Sequence, residues 1–293
     1  MIELLQQVVN GLSTGCVYAA LALAISVIYQ GAGILNFAQG EMATVAAYSA
    51  WSLDALGWPM WAALPVVFAG AAVLGAVIER LLVRPVEGAS VLALVTVSTA
   101  LLLGINGLVT VLWGTDPHSL AGPFGTKALS AGEVTVTSQQ LGGAATVLVV
   151  MAAVGLFFRF SDVGLRMKAV SQNADSAVLL GIRPGRMRAA GWALAAVVGA
   201  VAGFVAAPAT GVNPEMMQTP LLMAFAAAAL GGFGSRVGAV VGGLALGVLT
   251  ALAARYIPGL NGDLALSVPF GVIFLVLLLR PHGLFSRGSA VRA

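Results

Sequence analysis

The sequence predicts an all-α fold, a polytopic transmembrane helical bundle of about eight or nine spans, some of them short or broken. Hydrophobic residues make up 59% of the 293 residues, charged residues only 9%, and the mean hydropathy is +0.99. Soluble domains are about half apolar and a quarter charged. The 37 glycines are typical of membrane helices that pack closely. We therefore expect residues 1–293 to form a single transmembrane domain.

Nine apolar runs are long enough, or nearly so, to cross about 30 Å of hydrocarbon. In chain order they cover residues 8–29, 37–53, 60–82, 90–113, 140–158, 189–208, 217–232, 237–257 and 264–280. The second and seventh runs are short, and we expect them to be broken or only partly spanning. The first run lacks the preceding basic flank of a cleaved signal peptide, so it is predicted to be a retained span.

The basic residues predict the orientation of the bundle. If the carboxyl terminus is cytoplasmic and the spans alternate, 12 of the 14 basic residues fall inside, and Lys127 and Arg255 fall outside. This is the bias expected of a protein in the cytoplasmic (inner) membrane. The side of residue 1 depends on the number of spans and stays open. An outer loop (about 114–140) and an inner segment (about 159–188) are the two long connections.

The stretch from Tyr29 to Glu41 interrupts the apolar pattern with glycines, amides and a carboxylate. Asn36 can be the N-cap of the second span, with Gln39 reaching back to it in a variant of the capping box. Glu41 then lies near the positive end of the helix dipole. The same helix end can also present N–H groups to a substrate carboxylate. Asn36, Gln39 and Glu41 are therefore candidate residues of a substrate path, with structural capping as the alternative.

The fourth span carries a row of polar side chains at helical spacing. Thr96, Thr99, Asn106 and Thr110 fall on one face. Threonine hydroxyls can bond to their own helix, but a buried amide needs a partner. Asn106 is predicted either to make a hydrogen bond between helices or, with Thr96, to line a conduit.

Four pairs of glycines lie four residues apart within the spans. Each pair places two glycines on one helix face, where helices can approach closely. The pattern does not distinguish packing within the bundle from packing across a dimer. The pairs are Gly11/Gly15, Gly199/Gly203, Gly238/Gly242 and Gly243/Gly247.

Motifs for catalysis, ATP binding and metal binding are missing from the sequence. There is no P-loop, and Cys16, His118 and His282 lie far apart, so we predict no metal, no cofactor and no enzyme activity. Glu41 is the clearest ionisable residue near a span and has no strong second site, which disfavours an ion-coupled carrier. The scattered basic residues form no face for nucleic acid.

The inner segment is predicted to contain two short helices. The first ends at about Gln172, and Asn173 caps a second that ends at Gly181. In the second helix Ala174, Ala177 and Val178 form a small apolar stripe. This stripe can pack against the base of the membrane domain or dock into a groove on a soluble partner.

Several blocks, in order along nearly the whole chain, resemble the ABC-transporter permeases of the branched-chain amino acid type. The first signature is matched by Gly11-Leu-Ser-Thr-Gly15 and Ile34-Leu-Asn-Phe-Ala-Gln-Gly-Glu41, and the coupling motif by residues 164–182. Further similarity lies in Leu112-Trp-Gly114, in residues 230–243 and in Arg280-Pro-His-Gly-Leu-Phe285.

The resemblance implies a permease subunit of an ATP-driven importer that works by alternating access. Its implied partners are a second permease, identical or different, two ATP-binding subunits that hydrolyse ATP, an external solute-binding protein and membrane lipid. Asn36, Gln39 and Glu41 match the first signature. The residues that match the coupling motif are Gly164, Arg166, Ala169, Asn173, Ala177 and Gly181.

One residue of the coupling motif departs from the family pattern. Lys168 stands where an arginine is more usual in the family, so the charge is kept but bidentate hydrogen bonding is lost.

The solute and the mode of transport have alternatives. Related permeases carry urea or amides, so the solute can be a branched-chain amino acid or a similar small polar molecule. A passive or ion-coupled facilitator without an ATPase partner, and a membrane scaffold, are the other functional classes.

Overall fold

The computed structural model describes residues 2–86, 88–131, 134–257, 267–280 and 283–285. Eleven α-helices occur in these ranges, with a π-helix (Glu79–Val83) and a 3-10 turn (Arg84–Val86) after the third. The helices are α1 (Ile2–Ala32), α2 (Gln39–Ala55), α3 (Met60–Ile78), α4 (Val91–Trp113), α5 (Ser138–Phe160), α6 (Asp162–Gln172), α7 (Ala174–Leu179), α8 (Pro184–Thr210), α9 (Gln218–Gly231), α10 (Arg236–Tyr256) and α11 (Ser267–Leu279).

The all-α membrane fold is confirmed. Six helices of the described part of the chain, α1, α3, α4, α5, α8 and α10, are long and apolar enough to cross a membrane. The two runs predicted to be short are indeed short, with 17 residues in α2 and 14 in α9. The ninth run appears as the short helix α11, and its predicted start at residue 264 lies outside the described residues.

Helix α1 forms the centre of the bundle. In its most apolar stretch 83% of the residues are buried, against 17% in α4 and 22% in α5. It packs against α8, α9 and α10, while α4 and α5 present apolar side chains outward. Because leucine and valine side chains cover these outer faces, the surface of α4 and α5 suits lipid or another membrane subunit.

The glycine pairs lie in helix contacts within the bundle. A Cβ atom on Gly11 would lie 2.6 Å from Val248 Cα, and one on Gly15 would lie 3.0 Å from Leu244 Cα, so α1 and α10 meet backbone to backbone. Only residues without a side chain permit this approach. The other pairs make comparable contacts: Gly243 with Ala19, Gly247 with Gly15, Gly199 with Gln39, Gly203 with Ala43, Gly238 with Gly231, and Gly242 with Ala227.

The segment predicted as the outer loop contains a β-hairpin, which is hydrogen-bonded to the start of α1. Strands β1 (Ala128–Ala131) and β2 (Val134–Thr137) are antiparallel, and the Gln6 side chain donates to Thr135 O (2.8 Å) and accepts from Thr135 N (2.9 Å). Arg255 forms an ion pair with Glu3 at 3.1 Å. The amino terminus therefore lies at the same end of the bundle as the hairpin and Arg255, which we call the hairpin end.

The opposite end of the bundle carries most of the described basic residues, and we call it the basic end. It contains the end of α5, the helices α6 and α7, and the start of α10. Backbone hydrogen bonds from Leu284 N to Leu230 O (2.9 Å) and from Phe285 N to Gly231 O (3.1 Å) hold residues 284 and 285 there. The two ends match the two sides that the basic residues predict.

Candidate functional site

The chain between α1 and α2 is irregular and partly buried in the bundle, with Asn36 and Ala38 fully enclosed. Ser98 of α4 satisfies its backbone: Ser98 Oγ accepts from Phe37 N at 2.6 Å and donates to Leu35 O at 3.2 Å. Ser98 is itself only 3% exposed. Irregular backbone at membrane depth requires such protein partners, because lipid offers none. Ser98 was not among the predicted site residues, because it lies between two threonines and nothing in its local sequence indicates a long-range contact.

The predicted capping box at the start of α2 is wrong. The N-cap residue is Ala38, and no side chain caps the helix. Asn36 Oδ1 instead accepts from Ala38 N at 3.0 Å, and Asn36 Nδ2 donates to the Gln39 side chain at 3.2 Å. The asparagine closes a tight turn two residues before the N-cap, so it is too early in the chain to bond the N–H groups of the first helical turn.

Gln39 connects α2 to α8. Its Nε2 donates to Ala195 O at 2.9 Å, while its Oε1 accepts from Asn36. Asn36 and Gln39 are both 0% exposed. Gly199 of α8 lies against the Gln39 amide and leaves room for it. Both amides are thus enclosed in the packing between helices and are used by scaffold hydrogen bonds.

Glu41 and Asn106 form a contact between α2 and α4. Asn106 Nδ2 donates to Glu41 Oε2 at 3.2 Å and to Pro214 O at 3.0 Å. Glu41 is 3% exposed and lies in the first turn of α2, where the helix dipole favours a carboxylate. The prediction that Asn106 makes a hydrogen bond between helices is confirmed.

Thr96 lies apart from the other path candidates. It is on the exposed face of α4, and its hydroxyl donates to Leu92 O of its own helix at 2.8 Å. Asn106 is about 15 Å further along the helix. The structure therefore brings together Asn36, Gln39, Glu41 and Asn106 but leaves Thr96 on the outer surface of this chain.

The two short helices of the inner segment are confirmed. Helix α6 ends at Gln172, and Asn173 Oδ1 accepts from Ser176 N at 2.9 Å as the N-cap of α7. Helix α7 ends at Leu179, and Gly181 follows with a φ of +76°, a conformation that disfavours side chains. The segment projects from the basic end of the bundle.

Within this segment the buried and exposed residues differ in role. Gly164 packs against the Phe157 carbonyl, and Ala177 is 2% exposed, so both hold the segment to the bundle. Ala169 and Ala174 are half-buried. Arg166 and Gly181 line a cavity of about 560 Å³ with Arg183 and Arg186.

The structure differs in part from the apolar stripe predicted on α7. Ala177 faces the bundle, whereas Val178 is 54%, Leu179 88% and Leu180 77% exposed. Leu179 and Leu180 were not predicted, because they lie outside the stripe of Ala174, Ala177 and Val178. Val178, Leu179 and Leu180, which we call the apolar tip, form the surface available to a partner.

The described residues show no cluster of three or more His, Cys, Asp or Glu side chains that could hold a metal ion. Cys16 is buried in α1. His118 stacks on Trp51 with ring centroids 3.9 Å apart at the hairpin end. His282 lies outside the described residues.

Residues 7–277 match the family described as branched-chain amino acid transport system, permease component. Curated relatives include the high-affinity branched-chain amino acid transport system permease proteins LivH of Salmonella typhimurium and of Escherichia coli K12. Each is 31% identical, over 97% of this chain and 96% of the relative. The corresponding protein BraD of Pseudomonas aeruginosa is 32% identical over the same shares.

Among solved structures, PsaBC from Streptococcus pneumoniae has a TM-score of 0.48 and 14% identity, over 93% of this chain and 91% of that one. That likeness adds nothing to the assignment, which the sequence relatives carry. This chain belongs to the family of branched-chain amino acid transport system permease components.

Proposed function

We propose that this chain is the permease subunit of an ATP-driven importer that carries branched-chain amino acids across the cytoplasmic membrane by alternating access. The observation that carries the proposal is the α6–α7 pair, which projects from the basic end with the apolar tip on its surface. Exposed leucines on a charged, water-facing segment are costly unless a partner covers them. An ATP-binding subunit is the partner that membership of the family supports.

Charge and shape next to the apolar tip support the same partner. The cavity lined by Arg166, Arg183 and Arg186 is also lined by Leu180 of the apolar tip and by Gly181. Guanidinium groups bind carboxylates in a bidentate manner. A soluble subunit with an apolar groove and acidic residues at its rim would fit this surface. Two such subunits would serve two permease chains, the second identical to this one or a different member of the family.

The solute path is proposed to run along the outward face of α4. Thr96 is exposed there, and Asn106 is half-buried on the same helix. A second permease chain packed against this face would enclose a polar row between the two subunits. In this proposal Asn106 contacts the solute and the buried Glu41 carboxylate holds the Asn106 amide, while Asn36 and Gln39 hold the start of α2 in place.

The orientation follows from the basic residues. The basic end would be cytoplasmic, with the carboxyl terminus, and the hairpin end would face outward, with the amino terminus. An external solute-binding protein would then meet the hairpin end. ATP binding would draw the coupling segments of two chains together and rock the spans between outward- and inward-open states.

The apolar tip supplies the test. The double variant Leu179→Ser/Leu180→Ser should remain in the membrane with unchanged thermal stability, because both side chains are exposed. We expect it to lose co-purifying ATPase subunits and ATP-driven leucine uptake in proteoliposomes made with the co-expressed partners. The matched control for co-purification of the ATPase subunits is Leu129→Ser, a 53% exposed leucine on the hairpin at the opposite end of the bundle.

Three outcomes would each contradict a part of the proposal. If the double variant keeps normal uptake and normal association with the ATPase subunits, the apolar tip has no role in coupling. Leucine flux through this chain alone, without ATP, would instead establish a facilitator. Competition of uptake by urea or short amides, but not by leucine or valine, would keep the ATP-driven mechanism and assign the related urea or amide class of solute.

A further inference from the structure

A second cavity, of about 500 Å³, opens between α5 and α10 at the basic end. Apolar side chains form its walls: Met151, Val154 and Phe158 on α5, Val237 and Val240 on α10, and Leu23 of α1 behind them. Phe158 and Leu23 are buried, while Val237 is 68% exposed. The cavity is thus an apolar slot that opens on the outer surface of the bundle. We call it the basic groove.

Three cations stand at one end of this slot. Arg159 lies in the last turn of α5, Lys168 lies on α6, and Arg236 is the first residue of α10. All three line the groove. Over the described part of the chain, no carboxylate forms an ion pair with any of them. The mouth of the groove therefore carries three uncompensated positive charges.

The position of Arg236 adds to the charge imbalance. Its guanidinium carbon lies 4.0 Å from the centroid of the Phe158 ring, so a cation–π contact holds it against the wall of the groove. It also stands at the amino end of a 21-residue helix, where the dipole favours an anion and disfavours a cation. A bound anion would interact favourably with both the side chain and the helix end.

We propose that the basic groove binds an anionic phospholipid of the membrane leaflet at the basic end. Its phosphate would lie among Arg159, Lys168 and Arg236, and one acyl chain would lie along α5 from Phe158 toward Met151. These two residues are about 10 Å apart along the helix. Basic pockets between membrane helices bind anionic headgroups, and the apolar walls give the acyl chain close van der Waals contacts. This site is separate from the solute path and from the apolar tip.

Gly155 provides a way to close the slot without disturbing the fold. It lines the groove on α5, and no atom lies within 4 Å of a Cβ atom placed on it. A leucine side chain at this position would occupy the space proposed for the acyl chain and would leave the three cations in place. The matched control is Gly70→Leu on α3, which is equally open and lines a different groove.

The test is native mass spectrometry of the purified full chain, with its co-purifying subunits, titrated with phosphatidylglycerol or with phosphatidylcholine of the same acyl chains. We expect phosphatidylglycerol to bind at least about tenfold more tightly. Each of Arg159→Gln, Lys168→Gln and Arg236→Gln should weaken it about fivefold, the effect of one basic residue near an anionic headgroup. Arg80→Gln, an exposed cation outside the groove, should leave the affinity unchanged.

Gly155→Leu should weaken phosphatidylglycerol binding at least about fourfold, because the leucine side chain displaces the acyl chain from several van der Waals contacts, and Gly70→Leu should not. Equal affinity for the two lipids, unchanged binding in the three glutamine variants, or unchanged binding in Gly155→Leu would each overturn the proposal. Competition by inorganic phosphate that Gly155→Leu does not alter would assign the site to free phosphate and overturn it too. So would efficient cross-linking of Val237→Cys to another polypeptide in native membranes, because a protein would then cover the groove.

Discussion

Asn106 on α4 and Glu41 on α2 are joined by a hydrogen bond of 3.2 Å between the amide nitrogen and a carboxylate oxygen. The same amide donates to the carbonyl of Pro214. One side chain therefore ties two helices and the connection before α9 together, around a carboxylate that is 3% exposed.

Replacing Asn106 by leucine should destabilise the protein. The change removes the donor to a buried carboxylate and to a buried carbonyl, which costs about 1–3 kcal/mol. Thermal unfolding of the purified chain in mild detergent, with its co-purifying subunits, measures the loss. The control is Thr99→Val on the same helix, an exposed residue that bonds only to Val95 O of its own helix. We expect the control to stay within about 0.5 kcal/mol of the native protein. Equal stability of the two variants would show that the contact is not structural.

The sequence predicted the features that depend on composition or on residues close together in the chain. Composition alone indicated a membrane bundle, and run length identified α2 and α9 as short. The break at Asn173 between α6 and α7 followed from the preference of asparagine for N-caps. In each case the deciding interactions lie within a few residues of one another.

Contacts between distant residues could not be predicted in this way. Ser98 satisfies backbone atoms some sixty residues away, and Gln39 bonds a carbonyl on α8. The glycine pattern identified close-packing faces but not their partners, which depend on the arrangement of the whole bundle. The capping box failed for a different, local reason, because Asn36 lies two residues before the N-cap and accepts from Ala38 N.

Gln39→Ala should lower stability by about 2 kcal/mol or more. It removes the side-chain donor to Ala195 O and the oxygen acceptor of the Asn36 amide, which keeps only a 3.6 Å contact with Met42 Sδ. Uptake per folded complex should be retained, because the side chain is 0% exposed and faces α8. Thermal unfolding and leucine uptake, normalised to folded protein, measure the two effects.

Gln30→Ala on α1 is the control for this variant. Gln30 is half-buried and makes its side-chain bond to Ser26, one turn earlier in the same helix. We expect a loss of no more than about 1 kcal/mol. Normal stability of Gln39→Ala together with lost uptake would contradict the scaffold role and indicate that Gln39 contacts the solute.

Gly11→Ala should destabilise the contact between α1 and α10. The added methyl group would lie 2.6 Å from Val248 Cα, which is backbone and cannot rotate away. The helices must separate, at a cost of about 1–3 kcal/mol. Gly107→Ala on α4 has no atom within 4 Å of the new methyl group, so it should be neutral or stabilising by up to about 1 kcal/mol through helix propensity. Thermal unfolding compares the two, and equal midpoints would contradict this contact.

Asn173→Ala should impair coupling more than it impairs global stability. The side chain caps a helix of only six residues, and loss of an N-cap costs about 1 kcal/mol. That loss falls on the segment that presents the apolar tip, so up to about a fivefold smaller fraction of molecules would hold α7 folded. ATP-driven leucine uptake and transport-stimulated ATP hydrolysis in proteoliposomes should fall accordingly, while the main unfolding transition stays in place. Asn173→Ser keeps an oxygen that can accept from Ser176 N and should restore most of the activity.

Ser171→Ala is the control for these variants. It lies in the preceding helix, removes a hydroxyl that bonds only to Lys168 O, and should have little effect. A serine variant as impaired as the alanine variant would show that the asparagine amide, rather than its cap, is what the partner contacts.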